Sequence, residues 1–173
     1  MLMKNIKKAF FFDRDNTLIK DNGYTYKNSD LKFLAGAKQA IRYLNQKNII
    51  VIILTNQSGI ARKYFNLKDV KMFHKFMNTE LSKAKARIDD FFICGCHPNF
   101  PKKKNTCKCR KPSKTMLIKA IKKWSLNKKN IFMIGDKYID KLAAKNAGVN
   151  FQYKSKKINL YKQIKSIVIK KFN

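Results

Sequence analysis

The sequence predicts an α/β fold in which a Rossmann-like parallel sheet carries helices on both faces. Short apolar runs alternate with longer segments of helical periodicity, an order typical of parallel strands joined by crossover helices. The apolar runs are continuous rather than alternating, as in strands that are buried on both faces. The 173 residues contain no internal repeat and no linker rich in Pro, Gly or Ser, so we expect one domain over residues 1–173.

The individual elements are predicted in order along the chain. Ala9–Phe12 is the first strand, AGAKQAIRYLNQKN the first helix, and the β-branched run IIVIIL the second strand. A helical pattern over residues 67–86 leads to a third strand, DFFIC. KTMLIKAIKKW is a helix, NIFMIG a fourth strand, and YIDKLAAKNAG a helix that stops at Gly148. Apolar residues at helical spacing predict a basic terminal helix over about residues 157–171, which we expect to pack on the core rather than lie on a membrane.

The chain is strongly basic, with 40 Lys and Arg against 10 Asp and Glu and a net charge of +30. Such a charge indicates either contact with nucleic acid or an anionic membrane, or compositional drift toward the Lys, Asn, Ile, Phe and Tyr that an AT-rich coding sequence favours. Lys is spread along the chain rather than gathered in one block. We therefore favour drift, and we do not expect nucleic acid as a partner.

Two features bear on location. The longest apolar run, residues 49–54, has six residues and is too short to span a membrane. The N-terminal segment has a short apolar part that ends in Asp13, unlike a secretory signal. We therefore expect a cytoplasmic protein, and we expect it to be a monomer.

Polar residues follow the predicted strands at the edge of the sheet where such folds bind ligands. Asp13 and Asp15 follow the first strand, Thr55 and Asn56 follow the second, and Asp136 follows the fourth. A single Asp after a strand is commonly a turn former or a helix N-cap. Several carboxylates at one edge, in a chain that has only ten, instead favour a Mg²⁺ site made of oxygen ligands.

Four motifs together resemble those of haloacid-dehalogenase-like phosphatases: DRDNT, LTNQSGIAR, CRKP and GDKYID. The resemblance covers about residues 9–148, and no insertion between the motifs is long enough for a large cap domain. It implies the small-cap form of that fold and Mg²⁺-dependent hydrolysis of phosphate monoesters through a phospho-aspartyl intermediate. The family usually has Gly where this chain has Asn16, and Asn is the residue that next best tolerates a positive φ.

The same resemblance implies a role for each motif residue. Asp13 would be the nucleophile, and Asp15 would be the general acid and base. The Mg²⁺ ligands would be the side chains of Asp13 and Asp136 and the backbone carbonyl of Asp15. Thr55 and Lys111 would stabilise the phosphoryl oxygens.

More narrowly, DNGY, TNQSGIAR, the cysteine loop and CRKP resemble phosphatases that remove the 7-phosphate of heptose bisphosphates, a step toward lipopolysaccharide in many bacteria. Histidinol-phosphate phosphatases, which share the fold and a similar loop, are the alternative. The alternative of another class is a nucleic-acid-binding protein on a degenerate phosphatase scaffold.

Asp140 either orients a lysine or a metal-bound water, or has an ordinary helix role. The phosphorylated sugar would be bound by short loops and one lysine: Asp21, Asn22, Gly23, Tyr24, Asn56, Gln57, Ser58, Arg110 and Lys137.

All the cysteines of the chain lie in one loop, residues 94–109, as two C-x-C pairs separated by ten residues. This spacing predicts a structural, tetrahedral Zn²⁺ site formed by Cys94, Cys96, Cys107 and Cys109. A pair of disulfides is the alternative, which a reducing cytoplasm disfavours. Related phosphatases have His at the position of Cys96, so a second ligand set has three Cys and His97. The zinc would stiffen the loop that delivers Arg110 and Lys111.

Overall fold

The computed structural model describes residues 7–100 and 107–172, and within them five strands form one parallel sheet in the order β3-β2-β1-β4-β5. The strands are β1 (Ala9–Phe12), β2 (Ile50–Asn56), β3 (Asp90–Cys94), β4 (Ile131–Gly135) and β5 (Asn150–Tyr153). The helices are α1 (Ala37–Gln46), α2 (Leu67–Ser82), α3 (Thr115–Trp124), α4 (Tyr138–Ala147) and α5 (Leu160–Phe172). Short 3₁₀ turns lie at Asn28–Asp30 and Lys128–Asn130.

The side chains of β1 alternate between two apolar layers. Phe10 and Phe12 belong to a layer that includes α1, α2 and α5, whereas Phe11 belongs to a layer that includes α3 and α4. Successive side chains of a strand point to opposite faces of the sheet, so a strand covered on both sides needs an unbroken apolar run. The predicted parallel sheet with helices on both faces is therefore confirmed.

Some element boundaries differ from the prediction. β5 was not predicted, because its sequence NFQY is polar at two of four positions and largely exposed at the edge of the sheet. α2 ends at Ser82, before the expected end at residue 86, and Lys85 beyond it has a φ of 53°. α5 begins at Leu160 instead of about residue 157 and packs on the layer that includes α1. Among residues 7–100 and 107–172, no helix combines the length and the apolar character needed to cross a membrane.

The carboxyl ends of the strands meet at one edge of the sheet. The backbone N–H of Asp13 donates to the carbonyl of Ile134 at 2.9 Å, so the chain leaves β1 beside the end of β4. Thr55 lies near the end of β2, and Cys94 ends β3. The polar residues named above therefore gather on one side of the molecule.

Candidate active site

A polar cavity of about 270 Å³ opens at this edge of the sheet. Asn22, Thr55 and Asp136 are not among its lining residues. Most of the other residues predicted for the site do line it, together with Ile139 and Asp140: Asp13, Asp15, Asp21, Gly23, Tyr24, Asn56, Gln57, Ser58, Arg110, Lys111 and Lys137.

Lys111 forms the floor of this cavity and is buried, with 2% of its surface exposed. Its Nζ donates to Asp13 Oδ1 at 2.7 Å and to the carbonyl of Leu54 at 2.8 Å, and it lies 2.6 Å from Asp140 Oδ1. An ammonium group has three N–H donors, and here each has an oxygen within reach. Burial alone would lower the pKa of Lys111, but the charges of Asp13 and Asp140 outweigh it and raise that pKa. Lys111 is therefore a fixed buried cation.

The backbone of Lys111 is held by the side chain of Asn56. Asn56 Oδ1 accepts from the N–H of Lys111 at 3.0 Å, and its Nδ2 donates to the carbonyl of Lys111 at 3.2 Å. Asn56 was predicted to contact the substrate. Although it lines the cavity, both polar atoms of its amide are engaged with the loop that carries Lys111.

Two carboxylates, Asp13 and Asp140, contact the Lys111 ammonium, and a third, Asp136, lies beside them. Oxygen atoms of Asp13, Asp136 and Asp140 all lie within 4.8 Å of one another. Burial, and after it the negative charge of Asp13, raises the pKa of Asp136 to about 6, although Lys137 opposes this shift. Asp136 Oδ1 is buried and has no hydrogen-bond partner among the described residues. A carboxylate oxygen that is buried without a donor, beside a second carboxylate, suits a hard divalent cation, so the residues present fit Mg²⁺.

Asp140 has both of the roles that the sequence left open. Its Oδ2 accepts from the N–H of Lys137 at 3.1 Å, which caps the start of α4, and its Oδ1 pairs with Lys111. Gly135 makes room for it, because a Cβ at that position would lie 2.6 Å from the Asp140 carboxyl group. The hydrogen bond that caps α4 therefore fixes the Asp140 carboxylate, and the carboxylate in turn orients the ammonium group of Lys111.

Thr55 lies behind Gln57 rather than on the cavity wall. The Thr55 side chain is fully buried, and its Oγ1 accepts from Gln57 Nε2 at 2.8 Å. The same Nε2 donates to Asp15 Oδ2 at 2.8 Å. The structure thus places the Thr55 hydroxyl next to the Asp15 carboxylate through one intervening amide.

Asp15 is held from two sides, by Gln57 and by Arg14. Arg14 Nε donates to Asp15 Oδ1 at 2.8 Å, and Arg14 Nη2 donates to Asp15 Oδ2 at 3.1 Å. Burial raises the pKa of Asp15, and the Arg14 guanidinium partly offsets this rise. A raised pKa favours the protonated form that a general acid needs. The sequence reasoning missed Arg14, whose only signal was its place between two candidate site residues.

The DNGY turn is ordered by its own hydrogen bonds. Asp21 Oδ1 accepts from Thr25 Oγ1 at 2.9 Å and from the N–H of Gly23 at 3.2 Å, and the N–H of Asn22 donates to Thr25 Oγ1 at 3.2 Å. Gly23 and Tyr24 both have positive φ, 87° and 56°. Asp21 therefore shapes the turn that brings Gly23 and Tyr24 to the cavity, while Asn22 lies outside the lining.

Two arginines lie close together beside the cavity: Arg110 lines it, and Arg62 lies near Arg110 but outside the lining. Burial, and after it the positive charge of Arg62, lowers the pKa of the half-buried Arg110. Arg62 lies over the ring of Phe100, 4.4 Å from its centroid, and the rings of Tyr24 and Tyr64 meet edge to face at 4.8 Å. Within the described part of the chain, neither arginine forms an ion pair with a carboxylate. This rim is a cationic, aromatic surface.

The cysteine sulfurs meet in one cluster beside the rim. Cys94 Sγ lies 3.4 Å from Cys96 Sγ, which lies 3.6 Å from Cys109 Sγ. The sulfurs are joined as two disulfides, Cys94–Cys109 and Cys96–Cys107, each with a Cα–Cα distance of 5.6 Å. This pairing is the alternative that the sequence analysis set against zinc.

His97 lies outside the sulfur cluster. Its Nδ1 accepts from the N–H of Asn99 at 3.2 Å, and its ring faces Phe100 with centroids 5.6 Å apart. Among the described residues, the candidate metal-binding group in this loop contains cysteines and no histidine. That group consists of Cys94, Cys96 and Cys107, so the geometry gives no support for His97 in place of Cys96.

The fold and this polar site together define a hydrolase of the haloacid dehalogenase-like class. The chain belongs to that family, since residues 23–148 match the model of the haloacid dehalogenase-like hydrolases. Its relatives include the D-glycero-beta-D-manno-heptose-1,7-bisphosphate 7-phosphatase of Haemophilus ducreyi, 36% identical over 83% of this chain and 80% of the relative. The D-glycero-alpha-D-manno-heptose-1,7-bisphosphate 7-phosphatase of Campylobacter jejuni is 37% identical over 82% of this chain and 78% of the relative.

A solved structure shows the same fold. The D,D-heptose 1,7-bisphosphate phosphatase of B. bronchiseptica, complexed with magnesium and phosphate, superposes with a TM-score of 0.79 over 94% of this chain and 99% of that one, at 23% identity. The comparisons confirm the predicted family, its fold and the predicted phosphatase class.

Proposed function

We propose that this chain is a phosphatase that removes the 7-phosphate of D-glycero-D-manno-heptose 1,7-bisphosphate through a phospho-aspartyl intermediate. The observation that carries the proposal is the buried pair of Lys111 and Asp13 at the floor of a polar cavity. Relatives at 36% and 37% identity that bear the name of this activity support the choice of substrate.

The first step transfers the phosphoryl group to Asp13. A carboxylate oxygen of Asp13 attacks phosphorus while the bond from phosphorus to the sugar oxygen breaks, and Asp15 gives its proton to that oxygen. Lys111 fixes the orientation of the Asp13 carboxylate and places positive charge beneath the phosphoryl group. Thr55 contributes indirectly: its hydroxyl accepts a hydrogen bond from Gln57, and the same amide group donates to Asp15.

The second step releases inorganic phosphate. Asp15, now ionised, takes a proton from water as the water oxygen attacks phosphorus, and the bond between phosphorus and the Asp13 oxygen breaks. The side chains of Asp13 and Asp136 and the carbonyl of Asp15 would hold Mg²⁺, which when bound offsets the repulsion between the carboxylate and the phosphate dianion.

The rim favours a bisphosphate over histidinol phosphate. Arg62 and Arg110 lie close enough for the charge of one to shift the pKa of the other, and both are free of carboxylate partners within the described residues. Two guanidinium groups attract a second phosphate and repel the ammonium group of histidinol phosphate. The sugar phosphate that is not cleaved would therefore lie at this rim.

Phosphate release with Mg²⁺ from both anomers of heptose 1,7-bisphosphate, beside histidinol phosphate and fructose 1,6-bisphosphate, tests the proposal. We expect the highest kcat/KM for heptose bisphosphate and heptose 1-phosphate as the product. Asp13→Asn, which keeps the size and shape of the side chain, should fold and should release no phosphate. Faster turnover of histidinol phosphate would overturn the substrate assignment. Binding of a generic DNA duplex at physiological salt, without phosphate release from any substrate, would overturn the enzymatic assignment.

We also propose that Cys94, Cys96, Cys107 and Cys109 hold a structural Zn²⁺ ion. With Zn–S bonds of about 2.3 Å, the sulfurs of a tetrahedral site lie roughly 3.8 Å apart. The structure joins these sulfurs as two disulfides, so zinc would bind their reduced form. Sulfurs of different disulfides lie 3.4 and 3.6 Å apart, so the loop brings both pairs within reach of one ion. Four thiolates require a reducing compartment, which agrees with the cytoplasmic location that we propose. We also propose that the enzyme is a monomer.

A further inference from the structure

A fully buried arginine lies between the two aspartates of the first motif. Arg14 has no exposed surface, and no step of the mechanism above uses it. A buried guanidinium is costly unless its charge is paired and its N–H groups are bonded. The contacts of Arg14 therefore indicate its role in the site.

Arg14 grips Asp15 with two parallel hydrogen bonds. Nε donates to Oδ1 at 2.8 Å, and Nη2 donates to Oδ2 at 3.1 Å. Nη2 also donates to the carbonyl of Thr25 at 2.7 Å, and the guanidinium carbon lies 5.2 Å from the centroid of the Phe73 ring. A two-pronged contact of this kind fixes the plane of a carboxylate as well as its position.

His74 supports the arginine from the other side. Arg14 Nη1 lies 3.4 Å from His74 Nε2, and because a guanidinium can only donate, we assign Nε2 as the acceptor and the proton to Nδ1. The imidazole stacks on the ring of Phe91, with centroids 4.3 Å apart and planes 16° apart. Burial, and after it the charge of Arg14, lowers the pKa of His74 well below its usual value, so the ring is neutral.

The bonds to Asp15 are unevenly divided between its two oxygens. A carboxylate oxygen has about two acceptor sites. Oδ2 takes one hydrogen bond from Arg14 and another from Gln57, so both of its sites are filled. Oδ1 takes one hydrogen bond, from Arg14, and keeps one site.

We propose that Arg14, supported by His74, is a positioning residue for the general acid and base, and that it leaves Asp15 Oδ1 as the oxygen that exchanges the proton. This inference rests on the proposed function. Arg14 and Gln57 together prevent the carboxyl group from rotating, so the same oxygen faces the leaving group in the first step and water in the second.

Two substrates with different leaving groups test this role. A sugar alkoxide must be protonated as it leaves, whereas the nitrophenolate of 4-nitrophenyl phosphate leaves without a proton. Arg14→Met should therefore lower kcat/KM for heptose bisphosphate by about 100-fold, with little change for 4-nitrophenyl phosphate. The comparison uses kcat/KM because it reports the steps up to departure of the leaving group.

The second step provides an independent readout. Arg14→Met should also misplace the base, so phospho-Asp13 should accumulate on 4-nitrophenyl phosphate. Rapid mixing should then show a burst of nitrophenolate stoichiometric with the enzyme, followed by slow turnover. Asp15→Asn should behave in the same way, because it removes the group that Arg14 positions.

Control and companion variants separate positioning from general damage to the fold. Arg87→Met makes the same change at an exposed arginine and should leave both substrates unaffected. His74→Phe keeps the stacking on Phe91 and removes the acceptor for Arg14, so it should lower kcat/KM for the sugar substrate more than for the aryl substrate. If Arg14→Met does not fold, His74→Phe decides the matter.

Equal losses on both substrates, or no loss on either, would overturn the positioning role of Arg14. Failure of the wild-type protein to release phosphate from any substrate would instead overturn the proposed function on which the inference rests. The two failures are therefore distinguishable in one set of assays.

Discussion

Lys111 Nζ donates a 2.7 Å hydrogen bond to Asp13 Oδ1, across 98 residues of chain. This contact joins the end of β1 to the segment that follows the cysteine cluster. Asn56 holds the backbone of Lys111 and Asp140 holds its ammonium group, so both ends of the lysine are fixed from other elements. The candidate nucleophile therefore meets a cation whose position is set before any substrate arrives.

Lys111→Met should impair both stability and activity. The change leaves Asp13 and Asp140 buried together without a counter-charge, and breaking a buried ion pair typically costs about 3–5 kcal/mol. We expect a loss of that size in the free energy of unfolding measured with urea. Phosphate release should fall by about 100-fold or more, because the charge beneath the phosphoryl group is lost. Lys119→Met, at an exposed position of α3, should change neither measurement. Near-wild-type activity in Lys111→Met would contradict this role.

Mg²⁺ should stabilise the folded protein through Asp136. A ligand that binds only the folded state raises the midpoint of thermal unfolding. Because a metal ligand must be ionised, and the pKa of Asp136 is raised to about 6, this stabilisation should shrink as the pH falls below about 6. Asp136→Asn should abolish the Mg²⁺-dependent shift, whereas Asp30→Asn should retain it. A full shift in Asp136→Asn would show that the ion binds elsewhere.

Elemental analysis can decide between zinc and disulfides in the cysteine cluster. Protein purified under reducing conditions should carry zinc in equimolar amount, and Cys107→Ser should lose it. His97→Gln should keep the metal, because that imidazole faces its own loop rather than the sulfurs. Protein purified without reductant that contains neither zinc nor titratable thiols would instead establish the two disulfides, Cys94–Cys109 and Cys96–Cys107.

The sequence was sufficient to predict the elements whose own residues show whether they are buried or exposed. β1 and β2 are buried on both faces, so an unbroken apolar run identifies them, whereas β5 at the edge needs no such run and escaped prediction. The resemblance carried by the motifs also placed Asp13 and Lys111 at one site. The prediction that polar residues after different strands lie together succeeds because the carboxyl ends of the strands of a parallel sheet share an edge.

Residues whose role depends on distant partners could not be predicted in this way. Arg14 bonds to His74, 60 positions along the chain, and neither residue belongs to a period or a spacing that signals the contact. Asn56 was predicted to meet the substrate from the resemblance of its motif, and it does line the cavity, but its amide is engaged by a loop whose approach only the tertiary structure shows. Such contacts arise when distant elements pack together, and the local sequence pattern around each residue does not show which elements will meet.

His74 should make stability depend on pH in a defined window. The folded protein holds this ring neutral with a pKa well below 6.5, whereas the unfolded chain binds a proton there near the ordinary value. The contribution of His74 to stability should therefore fall as the pH drops below about 6.5, by up to about 1.4 kcal/mol per pH unit. His74→Phe should flatten that slope in urea unfolding measured between about pH 5 and 7. His97→Gln should leave most of the slope, and an unchanged slope in His74→Phe would refute the assignment.

Asn16 lies in the first motif, at a position where the resemblance leads us to expect Gly. Its φ is 57°, in the left-handed region, and its Oδ1 accepts from the N–H of Asp21 at 3.1 Å. Asn16→Gly relieves the backbone but loses this hydrogen bond, so we expect the free energy of unfolding to change by less than about 1 kcal/mol. Asn16→Ala loses the bond and keeps a Cβ in the left-handed region, which costs roughly 1–2 kcal/mol. Unfolding of the two variants in urea should therefore show Ala clearly less stable than Gly. Equal stabilities would mean that the loop changes its backbone conformation when the side chain of Asn16 is removed.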